Sequence, residues 1–279
     1  MKEGKKVRTK DGKPVVKPLS IKTVRNIHGV VHVAFETAID WGLPRVNPAS
    51  RCKLPPVPKR EAVALDFSAA RHLLESCSDH WLADFAIVDT GCGARRGELL
   101  ALAWPDLGPN YTSVTISKSL EQTKGGLRIK QTKGNNIRTM PLPQDAIDAL
   151  KRIKALQEDN RKMFGADYRT DLDLVFCHPD GSYIRPDTVT KAVRRIARKA
   201  GFSRVSLHTL RHSHGSQLLS AGVPLPVVSK RLGHTDIYTT ARIYAHALAG
   251  DEAAAAEKWE AAMKAADSKV AEIPLKKQA

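Results

Sequence analysis

Apolar residues recur at helical spacing through most of the chain, and this periodicity predicts a mainly helical protein. The first helix is predicted to follow Ser20, a residue type that caps helices, and to end near Gly42. Further helices are predicted at about residues 66–77, 81–89, 144–164, 185–200, 207–222, 224–233 and 238–246.

Alternation of apolar and polar residues predicts strands at 113–117, 127–130 and 137–142, with another short strand at 174–177. Gly134-Asn135 lies between the second and third strands and is typical of a hairpin turn. Those strands are therefore predicted to pair, with Lys133 beside the turn. The expected fold class is mainly α with a small antiparallel β-sheet (α+β).

Changes in composition predict the division of the chain into segments. Residues 1–19 are basic and poor in large apolar side chains, which predicts a flexible tail. The proline-rich residues 54–61 predict a linker between a helical segment at 20–53 and a large domain at 62–249. Residues 250–279 are predicted to form an alanine-rich helix and a tail, with Trp259 and Met263 on one apolar stripe.

The charge of the chain narrows the class of partner. A formal net charge of +16 and a pI near 9.8 favour a polyanion, and nucleic acid over a membrane surface. No apolar run has the roughly 20 residues of a membrane-spanning helix and no signal-peptide pattern is present, so a soluble cytoplasmic protein is expected. The four cysteines lack the C-x-x-C spacing of zinc sites and indicate no disulfide framework.

The chemistry-bearing residues are concentrated between residues 207 and 246. His208 and Arg211 are three apart in a predicted helix and therefore share a face. His234 directly follows a predicted helix end, and Tyr244 comes ten residues later. A tyrosine hydroxyl with a pKa of about 10 attacks poorly at neutral pH, but guanidinium and imidazole groups around a bound phosphate favour its phenolate form. These residues indicate nucleophilic chemistry on a phosphate.

This order of motifs resembles that of the tyrosine recombinases, also called the phage integrase family. The resemblance covers roughly residues 62–249 and is carried by His208-Thr-Leu-Arg211, Gly233-His234 and Tyr244-Ala-His246. Several motifs in the same order make it specific, whereas H-x-x-R alone would carry little information. Tyr238 lies six residues before Tyr244 and lacks the following Ala-His, so it is predicted to serve packing.

A further family motif, T-G-x-R-x-x-E-L, resembles the segment from Thr90-Gly91 to Glu98, although this chain has two more residues before the arginine. Arg95 is the preferred match because Glu98 follows it by three residues and shares its helical face. Arg96 remains the alternative.

The resemblance also implies a catalytic lysine on the β-hairpin, which points to Lys133, with Lys124 and Lys130 as alternatives. A mobile ammonium group there is suited to protonate a leaving alkoxide. His208, His212 and His214 have a spacing seen in helical zinc sites, but no H-E-x-x-H glutamate or third ligand accompanies them, so no metal is expected.

The resemblance implies a site-specific DNA recombinase that cuts and rejoins strands through a 3′-phosphotyrosyl intermediate, without metal, cofactor or ATP. Its implied catalytic residues, with Glu98 in support, are Tyr244, Arg95, Lys133, His208, Arg211 and His234. It further implies double-stranded DNA of a phage or other mobile element as substrate, and a homotetramer on two DNA sites. Accessory DNA-bending or directionality proteins are implied as well, and so is docking of the C-terminal segment on a neighbouring protomer.

Two other functions remain open at the level of sequence. A type IB topoisomerase uses similar chemistry, although the short spacing from Gly233-His234 to Tyr244 favours a recombinase. Residues 20–53 resemble only the C-terminal portion of the family's helical core-binding domain. The chain is therefore also interpretable as a truncated integrase that binds DNA or partner subunits without completing recombination.

Overall fold

The computed structural model describes residues 5–8, 14–57, 64–78, 80–132, 137–248 and 256–264. The chain divides into two compact units, Met1–Glu61 and Ala62–Ala279. Helices predominate, which confirms the expected mainly α fold with small antiparallel sheets. Within the described residues, no helix is both long enough and apolar enough to cross a membrane.

The first unit contains strands β1 (Lys5–Arg8) and β2 (Pro14–Lys17) and helix α1 (Ile21–Asp40). The Oγ of Ser20 accepts a hydrogen bond from the backbone N of Thr23 at 3.1 Å, which confirms the predicted helix start. Within the predicted flexible tail, residues 5–8 and 14–17 pair as antiparallel strands. Val7, Val15 and Val16 in these strands are β-branched and suit an extended backbone.

In the described part of the second unit, eight α-helices and four strands lie between residues 67 and 248. The helices are α2 (Phe67–Glu75), α3 (Ala83–Cys92), α4 (Arg96–Leu100), α5 (Gln144–Phe164), α6 (Pro186–Lys199), α7 (Leu207–Ser220), α8 (Leu225–Leu232) and α9 (Ile237–Leu248). The strands are β3 (Ser113–Ile116), β4 (Lys118–Thr123), β5 (Gly126–Gln131) and β6 (Arg138–Pro141). Residues 256–264 are also helical, and Trp259 and Met263 there are exposed.

Helix α3 forms the centre of the second unit and packs against α5 and α7. Its buried residues include Phe85, Val88 and Cys92, which join one large apolar core with side chains from α2, α5, α6 and α7. A smaller core joins α7, α8 and α9 through Leu219, Val228, Leu232 and Tyr244. Because α7 contributes to both cores, its residues occupy the junction at which the site is built.

The strand pairing differs from the prediction. β5 pairs with β4 and β6 pairs with β3, so the predicted hairpin between residues 127–130 and 137–142 was wrong. The observed hairpin turns at Lys124-Gly125, where Thr123 is opposite Gly126, and Gly126 has a φ of 122° that suits glycine. The strand predicted at 174–177 was also wrong, because only isolated bridges at Leu174 and Cys177 form there.

Candidate active site

The junction between α3 and α4 positions the first candidate arginine. Helix α3 continues through Thr90-Gly91 to Cys92, and a short turn separates it from Arg95. Gly93 ends the helix with a φ of 64°, and a Cβ atom there would lie 2.5 Å from Cδ2 of His214. Both the left-handed backbone and the lack of space therefore require glycine. Arg95 follows as the N-cap residue of α4.

Buried Glu98 holds Arg95 at two points. Its Oε1 accepts from Nη1 of Arg95 and its Oε2 accepts from the backbone N of Arg95, each at 2.8 Å. The Glu98 side chain is 2% exposed whereas that of Arg95 is 49% exposed, so the guanidinium group remains accessible from solvent. Arg96 instead donates to Thr190 and Pro186 of α6. The guanidinium group of Arg96 is therefore engaged by α6, whereas that of Arg95 is more open to solvent.

Arg211 is buried in the first turns of α7 and spans two neighbouring segments. Its Nη1 donates to the carbonyl oxygen of Gly93 at 2.7 Å and its Nη2 donates to that of Leu232. Burial, together with the positive charge of Arg95, lowers the pKa of Arg211 to about 10. The group therefore remains a cation at neutral pH and is fixed between the ends of α3 and α8.

The C-terminal end of α8 receives three arginine side chains. A helix leaves its last carbonyl oxygens without helical partners, and its dipole favours cations there. Arg138 donates through Nε to the carbonyl of Arg231, and Arg95 donates through Nη2 to that of Gly233, each at 2.9 Å. Arg211 bonds the intervening carbonyl of Leu232. Three consecutive carbonyls thus hold three guanidinium groups on one side of the helix end.

His234 follows directly from this helix end. The backbone N of Gly233 donates to Lys230 O and that of His234 donates to Ser229 O, a hydrogen-bond pattern that fixes the chain direction after the helix. The Nδ1 of His234 lies 2.7 Å from Oγ1 of Thr240. Burial and the charges of the neighbouring arginines, Arg211 first, lower the pKa of His234 to about 4. The ring is therefore neutral at pH 7.

His208 lies at the exposed start of α7, three residues before Arg211. Burial and the charges of Arg211 and Arg95 lower its pKa below the ordinary histidine value. His208, Arg211, Arg95 and His234 all line one open cavity of about 1070 Å³. The structure thus brings together four of the residues predicted from sequence.

Tyr244 is 2% exposed and does not line this cavity. Its ring stacks on that of His212, with centroids 4.8 Å apart, and lies against Gly215, where a Cβ atom would meet the hydroxyl oxygen at 2.6 Å. Burial raises the pKa of Tyr244, and nearby Arg211 opposes that rise. The backbone of α9 departs from helical geometry at Tyr244 itself, with φ −108° and ψ 15°.

The structure describes two of the three candidate lysines, Lys124 and Lys130. Lys133 lies outside the described residues, but the preceding Thr132 bonds Ser117 O at 3.0 Å through its backbone N. Thr132 also lines a cavity of about 330 Å³ with Arg95 and Glu98. Of the alternatives, Lys130 pairs with Glu121 at 2.7 Å and Lys124 occupies the turn between β4 and β5.

Arg138 is the site residue that sequence reasoning missed. It is 4% exposed, and its Nη2 lies 2.6 Å from Oε2 of Glu98. The alternation of burial along β6 places Arg138 on the same buried side as Met140. The signal available in the sequence was an arginine that alternates with Met140 along a short strand. A charge on the buried side of a strand requires a partner.

The remaining histidines of α7 have structural contacts. His212 stacks on Tyr244, and Nε2 of His214 accepts from Nε of Arg231 at 3.0 Å. Tyr238, in contrast with the packing role predicted for it, is 80% exposed. Across the described part of the chain, no three His, Cys, Asp or Glu side chains are grouped as metal ligands.

Acid should destabilise the fold through His214. Burial first, and then the charge of Arg231, lower its pKa to about 4, although a bond with the Thr90 backbone opposes this change. As pH falls below about 6.5, the unfolded chain binds a proton that the folded His214 does not bind until about pH 4. The free energy of unfolding should therefore fall across this window, by about 3 kcal/mol from His214.

Urea unfolding at pH 7.5 and pH 4.5 tests this prediction in the unmutated chain and in His214→Gln. We expect the variant to lose less stability on acidification, with the remaining loss arising in part from His234, whose pKa is also lowered to about 4. An equal loss in both proteins would contradict the assignment to His214.

Comparison with known proteins shows the family of this chain. A sequence model of the phage integrase family matches residues 64–250. The chain belongs to the phage integrase family. A tyrosine recombinase XerC-like protein of Caldanaerobacter subterraneus subsp. tengcongensis is 30% identical over 248 residues, which are 82% of this chain and 63% of that relative. The ICEBs1 integrase of Bacillus subtilis is 26% identical over 231 residues, and the match covers 62% of its length.

Solved structures of this family share the fold. The Tn1549 transposon integrase, in complex with transposon right end DNA, superposes with a TM-score of 0.73 at 24% identity over 88% of this chain and 80% of that chain. The XerA recombinase gives a TM-score of 0.54 at 24% identity, over 86% of this chain and 73% of that chain. These relatives are recombinases and integrases, and they do not favour the type IB topoisomerase alternative.

Proposed function

We propose that this chain is a site-specific recombinase that cleaves and rejoins duplex DNA through a covalent 3′-phosphotyrosyl intermediate. One observation carries the proposal. Arg95, His208, Arg211 and His234 line one open cavity, and buried contacts fix the two arginines there. A cavity with cationic donors from several segments is complementary to a phosphodiester whose negative charge increases in the transition state.

In this mechanism the arginines bind the scissile phosphate. The hydrogen bonds of Arg211 to the Gly93 and Leu232 carbonyls use two of the five N–H groups of its guanidinium, which leaves donors for the non-bridging oxygens. Arg95 contributes a second, more exposed guanidinium. The neutral rings of His208 and His234 each carry one N–H, and a hydroxyl donor at Nδ1 would put the proton of His234 on Nε2. Both rings donate their N–H groups to the phosphate, and the unprotonated nitrogen of His208 accepts the tyrosine proton.

Tyr244 is the proposed nucleophile. Its hydroxyl oxygen forms the new bond to phosphorus while the bond from phosphorus to the 5′-oxygen breaks, and Lys133 gives a proton to that leaving oxygen. The hydroxyl is buried against Gly215 in the described conformation, so attack requires Tyr244 to move into the cavity. The non-helical backbone at Tyr244 provides a point at which α9 can bend. The phosphotyrosyl bond conserves the energy of the broken bond, so rejoining requires no ATP.

Cationic side chains have the charge-neutralising role that a metal ion has in many nucleases. The basic cavity is also lined by Lys124, Lys130 and Arg194, which are suited to flanking phosphates. We further propose that a homotetramer acts on two sites of a phage or another mobile element. Exposed Trp259 and Met263 support docking of the C-terminal segment on a neighbouring protomer, and accessory proteins would set bending or direction.

A covalent trapping experiment tests the proposal. The purified chain is incubated, with EDTA present, with nicked suicide duplexes that together cover the DNA flanking its gene. We expect a protein–DNA adduct that persists on a denaturing gel and forms on only a few duplexes, because recombinases select sites. Scrambled duplexes of the same composition are the control. Binding to the flanking duplexes without any adduct would favour the non-catalytic alternative, and activity that requires added divalent metal would contradict the mechanism.

A further inference from the structure

Glu98 is shared between two arginines, and the second of them has no place in the proposed chemistry. Its Oε1 lies 2.8 Å from Nη1 of Arg95 and 3.3 Å from Nη1 of Arg138. Its Oε2 accepts from the backbone N of Arg95 at 2.8 Å and from Nη2 of Arg138 at 2.6 Å. Each carboxylate oxygen thus contacts both residues, and the Arg138 bonds fix the rotation of the carboxylate that holds Arg95.

Arg138 also contacts the second support of Arg95, the turn after α8. Its Nε donates to the carbonyl of Arg231, and a Cβ atom on Gly233 would lie 2.6 Å from its Nη1. The carbonyl oxygen of the same Gly233 accepts a hydrogen bond from Nη2 of Arg95. A single buried guanidinium therefore touches both the carboxylate and the carbonyl-bearing turn that orient Arg95.

Arg138 also affects the charge balance around Arg95 and Glu98. Arg95, Arg138 and Glu98 together carry a net charge of +1, so Arg138 neutralises Glu98 and the charge of Arg95 remains available. Without Arg138 the buried carboxylate would have Arg95 as its cationic partner, and the pair would be neutral. Burial alone would raise the pKa of Glu98, but bonds and charge from Arg138, with help from Arg95, lower it. The carboxylate is therefore ionised at neutral pH and requires such a partner.

We propose that Arg138 is a positioning residue that holds Glu98 and the end of α8 so that Arg95 is directed to the scissile phosphate. This inference rests on the proposed function for its catalytic consequence. Arg138 itself is buried and acts through Arg95, so it is predicted to affect strand cleavage much more than DNA binding.

Two substitutions separate charge from geometry. Arg138→Gln removes the cation, and we expect single-turnover cleavage at saturating protein to fall about 100-fold, as for loss of a phosphate-binding donor. Arg138→Lys keeps the charge but loses the forked contact, and we expect a loss of about tenfold. Arg161→Gln is the matched control, because Arg161 pairs with Asp173 outside the cavity. Its cleavage rate should stay within about twofold of the unmutated chain.

A double substitution distinguishes positioning from general destabilisation. If Arg138 acts through Arg95, then adding Arg138→Gln to Arg95→Ala should lower the cleavage rate by no more than about threefold. Leu150→Ala opens a cavity in the large core and controls for lost stability. Any effect it has on the cleavage rate should multiply with that of Arg95→Ala, as is usual for independent sites. A full additional 100-fold loss from Arg138→Gln in the Arg95→Ala background would overturn the proposal.

A measurement on the free protein separates this proposal from the proposed function. Guanidinium ¹⁵N NMR signals of Arg95, assigned by their loss in Arg95→Ala, report its bonding without DNA. We expect Arg138→Lys to shift or broaden them, while Arg161→Gln leaves them unchanged. Unchanged Arg95 signals in Arg138→Lys would overturn the positioning role. If the signals shift but the unmutated chain forms no adduct with any duplex, the proposed function fails while the positioning role stands.

Discussion

Tyr244→Phe should abolish formation of the covalent protein–DNA adduct while leaving DNA binding within about twofold of the unmutated chain. The change removes a single oxygen, the atom proposed to attack phosphorus. Because the ring stacks on His212 and fills the space beside Gly215, phenylalanine should preserve this packing. The measurement is adduct yield on a suicide duplex, with binding followed by gel shift at matched salt.

The chain offers a matched control six residues earlier on the same helix. Tyr238 is 80% exposed, whereas Tyr244 is buried, so Tyr238→Phe should retain adduct formation. Adduct formation by Tyr244→Phe would exclude Tyr244 as the nucleophile. If Tyr238→Phe lost adduct formation and Tyr244→Phe retained it, Tyr238 would be the nucleophile, contrary to the sequence motifs.

Local spacing, together with the family resemblance, predicted four residues that the structure groups around one cavity. Their separation placed His208 and Arg211 on one helical face, the family resemblance assigned them to the site, and both line the cavity. Arg95 was preferred because Glu98 follows three residues later, and the two side chains bond as expected. These inferences depend on contacts within one turn of backbone, which the sequence specifies directly.

Contacts between distant segments were not predictable in the same way. Arg138 meets Glu98 across 40 residues, and the carbonyls that hold Arg95 and Arg211 belong to the end of α8. Only the folded chain brings these groups together. The buried position of Tyr244 also depends on packing between α7 and α9.

The error in strand pairing has a similar origin. The chain offers two turn signals, Lys124-Gly125 and Gly134-Asn135, and local propensity does not rank them. The first lets β4 and β5 pair over six positions with Leu120 opposite Ile129. Strand β6 then pairs with β3, which places Arg138 opposite Ile116 on the buried side. The pairing depends on the sum of the cross-strand contacts along each whole ladder, which a two-residue turn signal does not report.

Arg211→Lys should lower the rate of strand cleavage by on the order of 10²- to 10³-fold, although the positive charge is kept. Arg211 bonds two carbonyl oxygens from different segments, Gly93 O and Leu232 O, and has further N–H groups for the phosphate. A lysine ammonium is a compact point charge and does not reproduce this forked geometry. Single-turnover cleavage at saturating protein is the measurement, and Arg161→Lys is the matched control because its partner Asp173 lies outside the cavity.

The same substitution should also destabilise the fold. At least one buried carbonyl loses its donor, which costs about 1–3 kcal/mol, so the midpoint of urea unfolding should fall. The two effects are separable because cleavage is measured well below the unfolding transition, where the variant remains folded. If Arg211 served only to join the ends of α3 and α8, the variant would lose stability and keep its cleavage rate. A rate within about threefold of the unmutated chain would therefore remove Arg211 from the proposed phosphate clamp.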